Sequence, residues 1–427
     1  MITLLARFRS FPGSVRLLMV QQFTINTAFY MLMPYLAEHL AHGLGMAAWA
    51  VGLVLGVRNF SQQGMFLLGG TLADRLGYKR MIIAGCVLRT AGFALLGFTA
   101  SLPALVAASA ATGFAGALFN PAVRAYLATD AGERRVEAFA LFNVFYQSGM
   151  LIGPLVGLAL LAVDFRAVCL VAALLFAVLT VVQTRALPDR RQTRQGGAGL
   201  RGVLGDWRQV LANRPFVLFS LAMIGSYILT FQVYLALPLG AERAAPGHGN
   251  AVTMALFALS ALVAAAGQLK VTAWARGRWS QQRSLVYGLV VLGAAFVPPL
   301  AANHVATSSS GLVHWAQAMV PLMACAALLA LGTALVYPFE MDTIVALAGG
   351  RLVATYYGLY NTVSGVGITV GNIATGALWD AAARTGHPRL PWLVLTAVGV
   401  LCAASVAALV RGGQLQAPVP TASAAPA

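Results

Sequence analysis

Three groups of residues in this chain are placed to do chemistry. The first is Gly70-Thr71-Leu72-Ala73-Asp74-Arg75-Leu76-Gly77-Tyr78-Lys79-Arg80, which lies between two long apolar runs. A carboxylate at a helix end, here Asp74, can pair with cations or with the N-terminus of a neighbouring helix. Gly77 lets the chain reverse, and Arg75, Lys79 and Arg80 gather positive charge on one side of the runs. The second group is Arg58 and Arg89, which fall inside apolar runs. A charge at such a depth is costly and marks a functional position by default. The third is the acids. All 12 fall in loops or near the ends of apolar runs, with Glu38, Glu137, Glu340 and Asp342 closest to them. The groups left to take and release a proton are therefore Asp74, Glu340 and Asp342 on one side, or Glu38 on the other.

Neutral polar residues recur at helical spacing. Gln22, Asn26 and Tyr30 share one face; Tyr227, Thr230 and Tyr234 share another. Asn143, Tyr146, Gln147, Tyr357, Tyr360 and Asn361 add amides and phenols elsewhere. An apolar, aromatic wall with a few hydrogen-bonding groups suits an amphipathic organic solute. Each such residue is equally able to join helices to one another. The 6 histidines have no metal-ligand spacing, so no metal is expected. Neither H-E-x-x-H nor a rhomboid-like G-x-S-G occurs, which argues against an intramembrane protease. The 4 cysteines, Cys86, Cys169, Cys325 and Cys402, fall in apolar runs and read as buried small hydrophobes.

The elements that carry these residues are membrane spans. The chain of 427 residues is 59% hydrophobic and 9% charged, against roughly 25% charged in soluble domains. Apolar runs of about 20 residues, the length that crosses a bilayer, occur roughly at 15–38, 49–70, 80–99, 103–127, 138–162, 165–186, 215–238, 251–274, 284–302, 313–337, 352–378 and 390–411. Solid apolar runs indicate helices, because a membrane β-barrel would alternate. Arg7, Arg9 and Arg16 precede a first run that lacks a cleavage site, so it reads as a first span.

The net charge of +16 is topological. Of the 28 Lys and Arg, Arg166, Arg243, Arg384 and Arg389 fall on one side and Arg58 and Arg89 inside spans; the others lie on the opposite side or at helix ends there. That asymmetry places both termini in the cytoplasm and argues against nucleic-acid binding. The expected organisation is an N-terminal six-helix bundle at 1–187, a cytoplasmic linker at 188–214, a C-terminal six-helix bundle at 215–412 and a disordered tail at 413–427. The linker is rich in arginine, holds Gly196-Gly197, and has an amphipathic stretch at Leu204–Leu211. The halves repeat. Leu141-Phe142-Asn143 matches Leu359-Tyr360-Asn361, and at the same offset Gly149 matches Gly367 and Gly153 matches Gly371. Parallel repeats of this kind rock about a central site.

The Asp74 loop resembles the G-x-x-x-D-R-x-G signature between the second and third spans of the major facilitator superfamily. Gly149-Met150-Leu151-Ile152-Gly153-Pro154-Leu155-Val156-Gly157 resembles the antiporter motif of its drug:proton antiporters, although Ala140 stands where the fuller motif has glycine. With the polar stretch Gly56 to Gly64 and Phe119-Asn120-Pro121 before Arg124, the N-terminal half is similar to the multidrug-resistance protein H group. The resemblance implies an all-α membrane protein of two pseudo-symmetric six-helix bundles. It implies a multi-pass monomer of the bacterial inner membrane, a small-molecule solute, no cofactor beyond a proton gradient, and no enzyme activity. It makes Gly70, Asp74, Arg75, Gly77, Lys79 and Arg80 a conformational latch. Spans one, four, seven and ten would line the cavity, with Gln22, Asn26, Tyr30, Arg58, Asn143, Tyr146, Tyr227, Thr230, Tyr234, Tyr360 and Asn361 as candidate solute contacts. Export of many drugs by proton antiport is the expected function. Export of one metabolite such as a siderophore is the alternative, and a membrane sensor that moves nothing is a third. Many family members carry an acid in the first span, where this chain has Val20-Gln21-Gln22. Its absence, together with Arg58, points toward a neutral or anionic solute.

Overall fold

The computed structural model describes residues 2–189, 200–245, 249–302 and 312–415, and among them the chain forms helices and no strand. The N-terminal bundle holds the first span, Gly13–Glu38, and a second in two pieces, Ala48–Gln63 and Phe66–Leu76. The third is Tyr78–Phe98, the fourth Leu102–Ala131, the fifth Arg135–Leu161 and the sixth Phe165–Ala186. A connecting helix, Leu200–Ala212, precedes the C-terminal bundle. There the seventh span is broken into Arg214–Ala222, Ile224–Phe231 and Ala236–Ala244. The eighth is Gly249–Arg278, the ninth Gln281–Ala294 with Val297–Ala301, the tenth Leu312–Ala348, the eleventh Val353–Thr385 and the twelfth Leu390–Arg411.

The ends of these helices follow local chemistry. Asp164, Asn213 and Ser280 cap the sixth, seventh and ninth spans by accepting from Ala167 N at 2.6 Å, Phe216 N at 3.2 Å and Arg283 N at 3.3 Å. Gly77 takes φ 98° between the second and third spans, a conformation that favours glycine. By apolar composition eight stretches qualify as membrane spans among the described residues, one of them covering the fourth and fifth together. The first, second and eleventh are not among them. These three are the spans whose apolar character is diluted by Gln, Asn, Thr, Ser and Gly.

The internal repeat is physical. A Cβ at Gly149 would stand 2.5 Å from Phe23 O, and one at Gly153 would stand 2.9 Å from Thr27 O, so the fifth span lies on the backbone of the first. At the repeated positions Gly367 and Gly371, a Cβ would meet Ile224 and Ile228 of the seventh span at 2.4 and 2.7 Å. Gly157 closes in the same way, 2.1 Å from Met31 O. The antiporter-like glycines thus serve helix packing inside a bundle. Pro154 sits within the fifth helix, and its carbonyl accepts from Tyr35 Oη at 2.8 Å.

Two boundaries differ from expectation. The tenth span does not stop at 337 but continues as helix through Glu340 and Asp342 to Ala348. The disordered tail does not begin at 413, because Leu415 is buried and its carbonyl accepts from Gln282 Nε2 at 3.1 Å. Residues 190–199 of the linker, with Gly196 and Gly197, and the tail at 416–427 lie outside the described residues. The amphipathic stretch at Leu204–Leu211 is observed within the helix Leu200–Ala212.

Candidate functional site

The bundles meet most tightly at the end that carries the Asp74 loop. Asp74 Oδ2 accepts from Thr355 N and from Thr355 Oγ1, each at 2.7 Å. Its Oδ1 accepts from Ala354 N at 3.2 Å and from Tyr78 Oη at 3.0 Å. The eleventh span has no side-chain cap of its own, so Asp74 from the opposite bundle satisfies its first free donors. Leu352, just before that helix, is the one non-glycine at positive φ (53°) among the described residues, after Gly349 and Gly350 at 60° and 76°. The contact needs small residues. A Cβ at Gly70 would stand 2.1 Å from Ala354 O, and one at Gly358 would stand 2.5 Å from Phe66 O. Further along, a Cβ at Gly365 of the eleventh span would stand 3.0 Å from Gln63 Cβ of the second. Asp74 lies in the last turn of the helix Phe66–Leu76, beyond the apolar run that ends near residue 70. Burial pushes its carboxyl up to about 6, against the pull of the four donors.

The rest of the loop is tied to the connecting helix. Arg75 Nε and Nη2 donate to Asp206 Oδ2 at 2.9 and 2.6 Å, and Trp207 Nε1 donates to Thr71 Oγ1 at 2.8 Å. Neither Asp206 nor Trp207 was singled out from sequence, although an Asp-Trp pair on an amphipathic helix beside a basic loop is a readable signal. Lys79 is half-buried and Arg80 exposed. Asp342, a candidate for proton coupling, instead forms an ion pair of 2.7 Å with Arg135 of the fifth span. That pair is a second bond between bundles, because Arg135 lies just ahead of the apolar stretch and faces the tenth helix.

Above this closed end lies a layer of buried polar groups. Arg124 Nη1 donates to Asn361 Oδ1 at 2.8 Å across the bundle interface. Asn143 Nδ2 donates to Gln268 Oε1 at 2.7 Å, also across it. Both asparagines of the repeated Leu-aromatic-Asn motif therefore join the bundles, and neither offers a free amide to a solute. Glu340, 4% exposed, accepts from Tyr360 Oη at 2.5 Å, and Tyr227 reaches the same carboxylate. This is a carboxylate inside a span, contrary to the expectation that none is. Its position after Pro338 resembles a helix exit, but Tyr227 and Tyr360 from two other helices enclose it. Arg124 lies within electrostatic range of Glu340, Tyr146, Tyr227, Tyr337 and Tyr357.

A phenol cluster stands further from the Asp74 end. Tyr30 Oη is 3.4 Å from Tyr146 Oη and reaches Tyr234, whose hydroxyl is 3.4 Å from Met150 Sδ. These three come from the first, fifth and seventh spans, so both bundles contribute. Arg58 acts on Tyr30 electrostatically. Asn26 and Thr230 bond their own helices, to Gln22 O at 2.7 Å and Ser226 O at 2.8 Å. Gln22 is buried beside Asn26. The side chain of Glu38 lies outside the described ones. Arg124, Tyr337 and Gln268 were missed as site residues, since their roles arise only where two bundles face each other.

Among the described residues no group of three or more His, Cys, Asp or Glu is gathered for a metal. The sequence profile of the Major Facilitator Superfamily matches residues 18–371. An uncharacterized MFS-type transporter of Mycobacterium tuberculosis strain H37Rv is 54% identical over 402 residues, 94% of each chain. Multidrug resistance protein MdtH of Shigella dysenteriae serotype 1 is 28% identical over 389 residues, 90% of each chain. The crystal structure of the human organic anion transporter MFSD10 shares the fold, with a TM-score of 0.65 at 14% identity over 92% of this chain and 99% of that one. With two six-helix bundles joined through the Asp74 loop, and with a family profile spanning most of its length, the chain belongs to the Major Facilitator Superfamily and is a multi-pass membrane transporter rather than an enzyme.

Proposed function

We propose that this protein exports small amphipathic organic molecules from the cytoplasm in exchange for protons. It would act as a monomer in the bacterial inner membrane, with both termini cytoplasmic and no cofactor. The observation that carries the coupling is Glu340, a buried carboxylate held by Tyr360 and Tyr227 at the bundle interface, with Arg124 nearby. Of the other candidate acids, Asp342 is committed to Arg135 and Asp74 to the eleventh helix. A buried carboxylate without a directly bonded cation is stable when protonated and costly when charged. Its protonation can therefore follow which side of the membrane it meets. The phenol cluster of Tyr30, Tyr146 and Tyr234 is the reading's solute wall. The name of the multidrug relative supports a broad range of solutes.

A second reading, export of one endogenous metabolite such as a siderophore, is favoured by Arg58. Its charge would select among solutes more narrowly than an apolar wall does. Transport into inverted membrane vesicles, with a panel of dyes, antibiotics and siderophores, separates the two. In the same vesicles Glu340→Gln is expected to abolish proton-driven accumulation while leaving solute exchange down a gradient. Full proton-driven accumulation by Glu340→Gln would remove Glu340 from the mechanism.

A further inference from the structure

Arg58 and Arg89 lie in the N-terminal bundle against one ring. The guanidinium carbon of each stands 5.1 Å from the centroid of Phe29. Arg89, 3% exposed, is also 4.7 Å from the ring of Phe119 and 5.3 Å from that of Phe176, and its Nε donates to Thr112 O at 3.4 Å. Arg58 is half-buried. Its Nη2 donates to Asn59 Oδ1 and its Nη1 to Gln62 Oε1 at 3.4 Å, while its Nε is buried with no partner. The Gln62 side chain lies near Arg89 as well: a Cβ at Gly116 would meet Arg89 Nη2 at 3.0 Å and Gln62 Cδ at 3.1 Å.

Two positive charges are thus held by rings, neutral amides and one carbonyl. Arg75, Arg134 and Arg135 make ion pairs, whereas among the described residues neither Arg58 nor Arg89 belongs to one. The groups that act on the pair electrostatically are each other and the neutral Tyr30 and Cys86. Uncompensated like charges at membrane depth are expensive. Arg89 has no open face, being walled by three rings. Arg58 does: it is half-buried and lies within electrostatic range of Tyr30 in the phenol cluster between the bundles.

We propose that Arg58, with Arg89 at the same ring as a second fixed charge, is the binding site for the anionic group of an amphipathic organic anion. A carboxylate or sulfonate would accept from Arg58, and its aromatic or aliphatic body would lie on Phe29, Tyr30, Tyr146 and Tyr234. The assignment names the solute class for the export reading and rests on that reading for its role in transport. Organic cations are disfavoured at the same place by the two like charges.

The test uses one body with three charges: naphthalene carboxylate, its carboxamide and its carboxamidine. Equilibrium binding to the purified full-length protein requires no gradient. The carboxylate is expected to bind about tenfold or more tightly than the carboxamide, the increment of one charge-assisted contact. The carboxamidine should bind least. Arg58→Gln should erase the preference for the carboxylate, and Arg58→Lys should keep part of it. Equal affinities for all three probes in the wild type would overturn the site even if Arg58→Gln failed to fold. An unchanged preference in folded Arg58→Gln would do so too. Nanodiscs distinguish a solute from a lipid headgroup. If phosphatidylglycerol discs abolish binding that phosphatidylcholine discs permit, the bound anion is lipid and the solute assignment falls. Charge-selective binding without uptake of the carboxylate by inverted vesicles would leave the site standing and defeat export. Uptake of dyes without any charge preference would do the reverse.

Discussion

Thr355→Val isolates one bond of the latch. Thr355 is fully buried, and valine keeps its branched shape while removing the hydroxyl. Asp74 then loses the donor at 2.7 Å but keeps the two backbone donors and Tyr78. A hydrogen bond to a charged group contributes roughly 1.5–3 kcal/mol. The lower end of that range gives about 1.5 kcal/mol. Near 1.4 kcal/mol per factor of ten, the ratio of closed to open forms at this end should fall about tenfold.

Spin labels at Leu76→Cys and Arg276→Cys, one on each bundle at the Asp74 end, read the ratio directly as a distance distribution. Both positions are exposed, and the native Cys86, Cys169, Cys325 and Cys402 are buried, so background labelling is low. At pH 7.5 the long-distance population should grow in Thr355→Val. An unchanged distribution, in protein with wild-type thermal stability, would refute the reasoning. It would mean that the Asp74–Thr355 bond forms equally well in both access states.

The other predictions concern the same end and the topology. The Asp74 carboxyl sits at about 6 when this end is closed, against about 3.9 for an exposed aspartate. The state with the higher value binds the proton more tightly, so closure should gain as pH falls through 6 and the gain should be complete near 4. Asp74→Asn should flatten that pH dependence and cut transport, since its amide would face Thr355 donors; a pH-independent wild type removes the linkage. Gly70→Ala places a Cβ 2.1 Å from Ala354 O, so the variant should stay open at this end in the same spin-label measurement. Normal closure would show that the helices separate at no functional cost. An alkaline phosphatase fusion after Arg411 should be inactive if the C-terminus is cytoplasmic, and activity there would reverse the proposed orientation.

The spans were legible because solid apolar runs admit few other readings. The Asp74 loop was legible because its parts lie within a few consecutive residues. What stayed hidden was created by contact between distant segments. Glu340 looks like a residue leaving the membrane, and only Tyr360 and Tyr227 make it an interior group. Asn143 and Asn361 look like cavity amides, yet each is used on the opposite bundle, by Gln268 and Arg124. Periodicity says which residues share a face, but not whether that face meets a solute, a lipid or another helix. The glycines of the fifth span show the same limit: their spacing was visible, and their partner, the backbone of the first span, was not.

Closure and coupling share a helix. Glu340 and Asp342 are two positions apart in the tenth span, one held by Tyr360 and the other by Arg135 of the opposite bundle. To open the Asp74 end, the bundles must release Asp74 from Thr355, Asp342 from Arg135, Asn361 from Arg124 and Gln268 from Asn143. At roughly 1–3 kcal/mol each these bonds set a gross barrier on the order of 10 kcal/mol, which contacts in the other state must offset. A bound species shifts such an equilibrium only by the difference in its affinity for the two states. Under the proposed function, Glu340 supplies that difference for the proton. Charged, it favours the arrangement that keeps Arg124 near; protonated, it does not. When the bundles part, Arg124 loses Asn361 and needs an anion. Glu340 parts from Arg124 in the same movement, so under the proposed function an anionic solute meets that need, and this gives exchange of proton for solute a physical basis.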